Sequence, residues 1–361
     1  MSVDYFSYYA LTIHPSTINV FYQSVPGPRC RNFNTIDHDS ETATTIKQPI
    51  QFKDNFHHGR MSGIAKRKMS KSLDYLIYLA GSKSTAKPLH GKNNTFKVNF
   101  ITLTLSSPQI HSDQEIKKVM LNQFLIEMTK RWNVTKYVWK AEKQDNGNIH
   151  FHIVTGNFIP WNELRNVWNR IQQKLGYVTR YRENREDWHK HGFKYDEKRG
   201  SKWPYSKQLK AYKVGLQTGW DNPNSIDVHS LRNIGNIKSY MIKYMSKNKE
   251  YSEKEIKEFN ELPELEKEEI KARNEISGRL WSCSNNLVKL KGGEADCGDV
   301  IYEELTRLEQ NDKNCRFDGD YYHVYRMDIN VLIKLNCFAL LSVFEDYIRQ
   351  KFPDDYLRVI L

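Results

Sequence analysis

Apolar and polar positions alternate along residues 148–154, with Ile149, Phe151 and Ile153 on one side and His150 and His152 on the other. Successive side chains of a strand point to opposite faces, so this pattern predicts a strand with one buried face and one face carrying two imidazoles. Residues 96–105 alternate as well, with a register change near Phe100 that hands the apolar positions from Phe96 and Val98 to Ile101, Leu103 and Leu105. Residues 137–141 predict a further strand, and Asp145-Asn146-Gly147-Asn148 turns it back antiparallel onto the histidine strand. Between these strands the pattern changes to helical spacing. Ser112 and Glu115 form a capping box, and Ile116, Val119, Met120, Phe124, Leu125 and Met128 make the apolar face of the helix it opens.

The flanking segments are less regular. Residues 5–22 are aromatic and β-branched enough for a strand or hairpin, broken by Pro26-Gly27-Pro28, and the polar stretch 40–58 predicts an extended arm. Leu73, Leu76, Ile77 and Leu79 then form a helical stripe that stops at Gly81. It is preceded by Arg60, Lys66, Arg67, Lys68 and Lys71, either a solvated helix start or phosphate contacts. Beyond the histidine strand the pattern predicts a helix over 161–175, a short strand over 177–182, an insertion over 183–223, a strand over 226–228 and a helix over 234–248. Nine glutamates between residues 250 and 269, and amphipathic stretches near 302–308 and 332–348, predict a further helical region. The expected organisation is an N-terminal arm or small β region over 1–59, an α+β unit over 60–250 and a mainly helical accessory region over 251–361.

Charge narrows the partners. The 361 residues carry 55 Lys and Arg against 43 Asp and Glu, a net charge of +12, which favours a polyanion. Within 183–223, Arg185, Lys194, Arg199, Lys202 and Lys207 are interleaved with rings such as Trp203, a composition suited to single-stranded nucleic acid and equally to a plain basic loop. Five scattered cysteines without a CxxC pair argue against a disulfide framework and fit a reducing compartment. The first residues lack the apolar run of a signal peptide, and the apolar stretch 331–344 is too short to span a bilayer, so a soluble intracellular protein is expected.

Two groups of residues carry chemistry. His150 and His152 share a strand face, and Glu142, across the predicted hairpin, can join them as a third ligand to one divalent ion. Read blandly, the three are two strand histidines and a surface carboxylate. A second triplet, His189-Lys190-His191, lies among charged residues and reads as solvated loop. The other group is Tyr240 and Tyr244, four residues apart and so on one helix face, each followed three residues later by a lysine, Lys243 or Lys247.

In order, Phe100-Ile101-Thr102-Leu103-Thr104-Leu105-Ser106, then Glu142 with His150-Phe151-His152, then Tyr240-Met241-Ile242-Lys243-Tyr244 resemble the HUH endonuclease superfamily. Within it they resemble the two-tyrosine rolling-circle replication initiators of single-stranded DNA phages and plasmids, and Gly278-Arg279-Leu280-Trp281-Ser282 looks like a tail segment of the phage members. The resemblance covers about residues 60–285. It implies a ferredoxin-like antiparallel sheet with helices on one face. It further implies Mg²⁺ or Mn²⁺ on Glu142, His150 and His152, attack by Tyr240 or Tyr244 on an origin strand, and support from Lys243 and Lys247. No GxxxxGK[ST] loop is present, so a host helicase is implied along with a host DNA polymerase, and with them a bacterial cytoplasm. Two other readings stay open: a nucleic-acid-binding module without catalysis, and a mobilisation or transposition enzyme of the same superfamily.

Overall fold

The structure, a computed structural model, describes residues 5–26, 61–81, 83–84, 95–96, 98–231, 245, 261, 263–266, 268 and 275–355. Its elements in chain order begin with β1 (Tyr5–His14), β2 (Thr17–Pro26), α1 (Gly63–Ala80), β3 (Lys83–Ser84), β4 (Thr95–Phe96) and β5 (Val98–Leu103). A continuous helical run follows as α2 (Asp113–Glu115), a π-helical segment (Ile116–Leu121) and α3 (Asn122–Trp132). Then come β6 (Tyr137–Lys143), β7 (Ile149–Thr155), α4 (Trp161–Gln173), α5 (Tyr177–Trp188), α6 (Tyr205–Thr218), β8 (Ile226–Leu231) and β9 (Trp281–Cys283). The chain closes with β10 (Gly293–Asp296), α7 (Asp299–Asn311), β11 (Arg316–Asp318), β12 (Tyr322–Arg326), α8 (Asn330–Lys334) and α9 (Phe338–Lys351). No helix among the described residues is long and apolar enough to cross a membrane.

The chain divides into two compact units, His57–Leu287 and the pair Met1–Phe56 with Val288–Leu361. In the first, five antiparallel strands lie in the order β8-β5-β7-β6-β9. Strands β5, β6, β7 and β8 thus follow the 4-1-3-2 arrangement of a ferredoxin-like α+β sheet. Ile101, Leu103, Trp139, Ala141, Ile149, Phe151 and Ile153 point to one face and pack against Ile116, Met120, Phe124, Leu164, Trp168 and Ile171 of the π-helical segment, α3 and α4. Trp168 is fully enclosed there, and its indole N–H donates to the Thr104 carbonyl at 2.8 Å, so burying the ring leaves no orphaned donor. On the opposite face the strands carry His150 and His152. Helix α1 lies on this face, since its Ser72 hydroxyl reaches Cys283 Sγ at 3.7 Å and Cys283 stands opposite Val138, two residues before Lys140 and four before Glu142.

Residues 177–182, expected as a strand, instead begin α5. A strand needs a free sheet edge, and the two edges of this sheet are taken by β8 and β9. Gly176, at φ 73°, turns the chain out of α4, and Tyr177 and Val178 bury in the first turn of α5.

The second unit shows why its two sequence segments belong together. The β1–β2 hairpin pairs with β10 through β1 and with β12 through β2, giving the sheet β10-β1-β2-β12-β11. The N-terminal β region and the C-terminal accessory region, read as separate from the sequence, therefore share one sheet and one core of Leu11, Ile13, Ile18, Val20, Leu305, Leu340 and Phe344. The expected C-terminal helices are present as α7 and α9, joined by three strands that the helical spacing of the sequence concealed. Glu304, 3% exposed, accepts the backbone N–H groups of Ala339 and Leu340 at 3.0 and 2.8 Å and so caps α9 from α7. Glu304→Ala is expected to destabilise this unit by about 2 kcal/mol, read as a lower urea midpoint, because two buried donors lose their acceptor.

Candidate metal centre

The site is built by the β6–β7 hairpin. Gln144 N–H donates to the Asn148 carbonyl at 2.8 Å, and Gly147 at φ 83° takes the left-handed position the turn requires. Asn148, 3% exposed, anchors the turn by accepting from Gln109 N at 2.8 Å and donating to the Ser107 carbonyl at 3.1 Å. The resulting register sets Glu142 opposite His150 and Lys140 opposite His152. Strand alternation then brings all four side chains to the same face.

Both imidazoles converge on one carboxylate oxygen. Glu142 Oε2 lies 3.3 Å from His150 Nε2 and 3.1 Å from His152 Nε2, and the ring centroids are 4.5 Å apart. The other oxygen, Oε1, accepts from the Lys140 ammonium. Burial alone would raise the Glu142 carboxyl, but hydrogen bonds from the two histidines and the charge of Lys140 outweigh it and hold the group well below the usual carboxylate range. Burial pushes His152 down, so it stays neutral more readily than a solvated imidazole.

The donor set fits a divalent cation. One atom from each of Glu142, His150 and His152 lies within 4.8 Å of the others. Ligand atoms about 2.1 Å from a shared ion stand about 3.0–3.4 Å apart, the spacing from Oε2 to each imidazole nitrogen here. Two nitrogens and one oxygen leave further coordination positions open, the composition of a catalytic rather than a closed structural site. His150 Nδ1 is buried without a hydrogen-bond partner, so this ring can change tautomer without breaking a bond at that atom.

Two neighbours orient His152. Thr102, its cross-strand partner on β5, places Oγ1 3.1 Å from Nδ1, and Phe100 stacks on the ring at 5.0 Å between centroids and 22° between planes. A hydroxyl can donate or accept, so Thr102 serves both tautomers: it donates to Nδ1 while Nε2–H points at Glu142, and accepts from Nδ1–H once the Nε2 lone pair is given to a cation. Thr102→Val is expected to weaken Mn²⁺ binding about tenfold in a calorimetric titration. Unchanged affinity would show that the hydroxyl has no part in orienting the ring.

The other candidate residues fall elsewhere. Tyr240, Tyr244, Lys243 and Lys247, and almost all of the expected helix 234–248, lie outside the described residues; Met245 alone among them is described, helical and fully buried. Arg185, Lys194, Arg199, Lys202, Trp203 and Lys207 lie on or between α5 and α6. The Lys194 ammonium stands 4.2 Å over the Trp188 ring, Arg185 5.3 Å over Tyr181, and Arg199 pairs with Asp196 at 3.4 Å. Trp203, Lys202 and Lys207 are exposed. Many of the interleaved rings pack on one another: His189 stacks with Phe193 and Trp220, and Tyr212 leans on all three. His189, expected in a solvated loop, is thus half-buried in a small aromatic core, and Trp188, Trp203 and Tyr205 are the exposed rings of this segment. Missed from the sequence were Thr102, Phe100 and Lys140, together with Asp227 and His229 of β8. These two stand opposite Thr102 and Phe100 on the same face and pair with each other at 2.7 Å. Strand parity alone could have found them once the register was known.

Net positive charge is confined to the unit that holds this face. His57–Leu287 carries 41 Lys and Arg against 24 Asp and Glu, whereas the other unit carries 14 against 19. Residues 98–249 match the family described as Replication-associated protein ORF2. The matched span contains β5 to β8, the three converging ligands and both tyrosines, and it supports a Rep-type replication-associated protein. No curated protein and no solved structure matched the chain.

Proposed function

We propose that the protein is a replication initiator that nicks single-stranded DNA at an origin and becomes joined to the new 5′ end. The observation that carries this reading is the convergence of Glu142, His150 and His152 on one point of the strand face, inside the span that matches a replication-associated family. A divalent cation held by these three residues would polarise the scissile phosphate and offset the charge growing on it. The phenol oxygen of Tyr240 or Tyr244 attacks phosphorus, forming a phosphotyrosine bond, while the P–O3′ bond breaks and leaves a 3′-hydroxyl that can prime synthesis. A neutral phenol, with a pKa of about 10, is a weak nucleophile, so Lys243 and Lys247 support the phenolate or the phosphate. With two phenols, one holds the displaced 5′ end while the other cuts the regenerated origin, and the freed 3′-hydroxyl closes the circle. Arg185, Lys194, Arg199, Lys202, Trp203 and Lys207 suit the strand being cut, through phosphate pairing and base stacking. A host helicase and polymerase complete the cycle.

The reading is tested by incubating the protein with labelled single-stranded DNA from replicons that carry related genes, with Mn²⁺ or with EDTA, and resolving the products on a denaturing gel. A slow-migrating labelled band that needs metal and disappears in a His150→Ala, His152→Ala variant is the expected result. Binding without any covalent band on DNA that includes the cognate origin would leave a nucleic-acid-binding module instead.

A further inference from the structure

Lys140 is a lysine only 4% exposed, set in the middle of β6 between His152 on one neighbouring strand and Trp281 on the other. Lysine is rarely buried without a specific reason, because taking an ammonium out of water is costly. Here the ammonium is directed at Glu142 Oε1, while Oε2 faces both imidazoles. The carboxylate is therefore divided, with one oxygen toward the ligand nitrogens and one toward a fixed positive charge. A second lysine adds to the field, as Lys66 on α1 acts electrostatically on Lys140.

An ammonium offers only donors and cannot ligate a cation. A divalent ion that drew in both Glu142 oxygens would have to displace Lys140 from Oε1, or sit against its charge where little water intervenes to screen the repulsion. The stem of Lys140 is held in the strand row, so displacement would leave a buried ammonium without this carboxylate. We propose that Lys140 is a positioning residue: it occupies Glu142 Oε1, restricts the carboxylate to one-oxygen ligation through Oε2, and so keeps a coordination position open for an oxygen of the DNA phosphate. This inference rests on the metal-dependent reading above. It assigns to Lys140 a role separate from that of the lysines beside the tyrosines, because Lys140 acts on the ligand and not on the nucleophile.

The test uses the full chain and Mn²⁺ alone. Affinity is measured by electron paramagnetic resonance titration, and the number of exchangeable waters on bound Mn²⁺ by water-proton relaxation. Lys140→Met keeps the stem and removes the charge, and it is expected to bind Mn²⁺ about tenfold more tightly and to lose one exchangeable water as Glu142 takes the ion with both oxygens. Lys140→Arg, which retains the charge, should stay near wild type in both measurements. Lys140→Gln gives the same reading as the methionine variant should that protein fail to fold. Equal affinity and an equal water count in the wild type and the uncharged variants would overturn the proposal. A wild type that binds no Mn²⁺ at all would instead overturn the metal-dependent reading on which it stands.

Discussion

A Tyr240→Phe, Tyr244→Phe double variant is expected to yield no covalent protein–DNA band, while binding single-stranded DNA within about twofold of wild type. Phenylalanine preserves ring volume and stacking surface but has no oxygen to form the phosphate ester, so only the covalent step is removed. Each single variant should retain one nucleophile and form the adduct, and the slower of the two identifies the phenol that makes the first cut. The comparison also separates the enzyme from a binding module: there the tyrosines act as stacking platforms, and removing a hydroxyl changes nothing. An adduct that persisted in the double variant would place the nucleophile elsewhere in the chain. The prediction rests on the spacing of Tyr240 and Tyr244 and their following lysines in the sequence, and on their place inside the matched family span.

Glu142 should divide two effects that a single substitution would confuse. Glu142→Gln keeps the shape and one acceptor oxygen but loses the charge that a cation needs, so adduct yield at limiting Mn²⁺ should fall about 100-fold or more, with partial recovery as Mn²⁺ is raised. Glu142→Ala also removes the acceptor of the Lys140 ammonium. Breaking one side of a buried ion pair costs about 3–5 kcal/mol, so this variant should show a clear loss of urea stability that the glutamine variant shows only in part. For an exposed pair the effect would be small, but the Lys140 side chain is 5% exposed and that of Glu142 26%. Full adduct yield in the glutamine variant would remove Glu142 from the ligand set, and an alanine variant as stable as wild type would mean that Lys140 does not depend on it.

The strand carrying His150 and His152, its hairpin partner and the capped helix before them were legible in the sequence because each is specified by local chemistry. Alternation with period two sets the faces of a strand, an Asn-Gly turn sets the hairpin, and a Ser-to-Glu capping box starts a helix. From those rules alone Glu142 could be placed beside both imidazoles, and the structure brings the three within 4.8 Å. Residues 177–182 misled, because a short run of apolar and polar residues fits either period and the choice depends on whether a sheet edge is free; β8 and β9 had taken both.

Sequence by itself therefore determined the hairpin, the paired histidines with their carboxylate, and the excess of positive charge, all of which depend on residues close together or on composition. Tertiary structure decided what depends on distant segments meeting. Thr102 and Phe100 reach His152 only because β5 pairs with β7, and Asp227 and His229 join that face only because β8 pairs with β5. The β1–β2 hairpin shares a sheet with β10 and β12, nearly three hundred residues away, because two half-exposed sheet pieces bury their apolar faces together. Lys140, which in the sequence is one of 55 basic residues, is singled out by its burial against the metal ligand. No local pattern encodes that, because the cost of burying a charge depends on what the rest of the fold places around it.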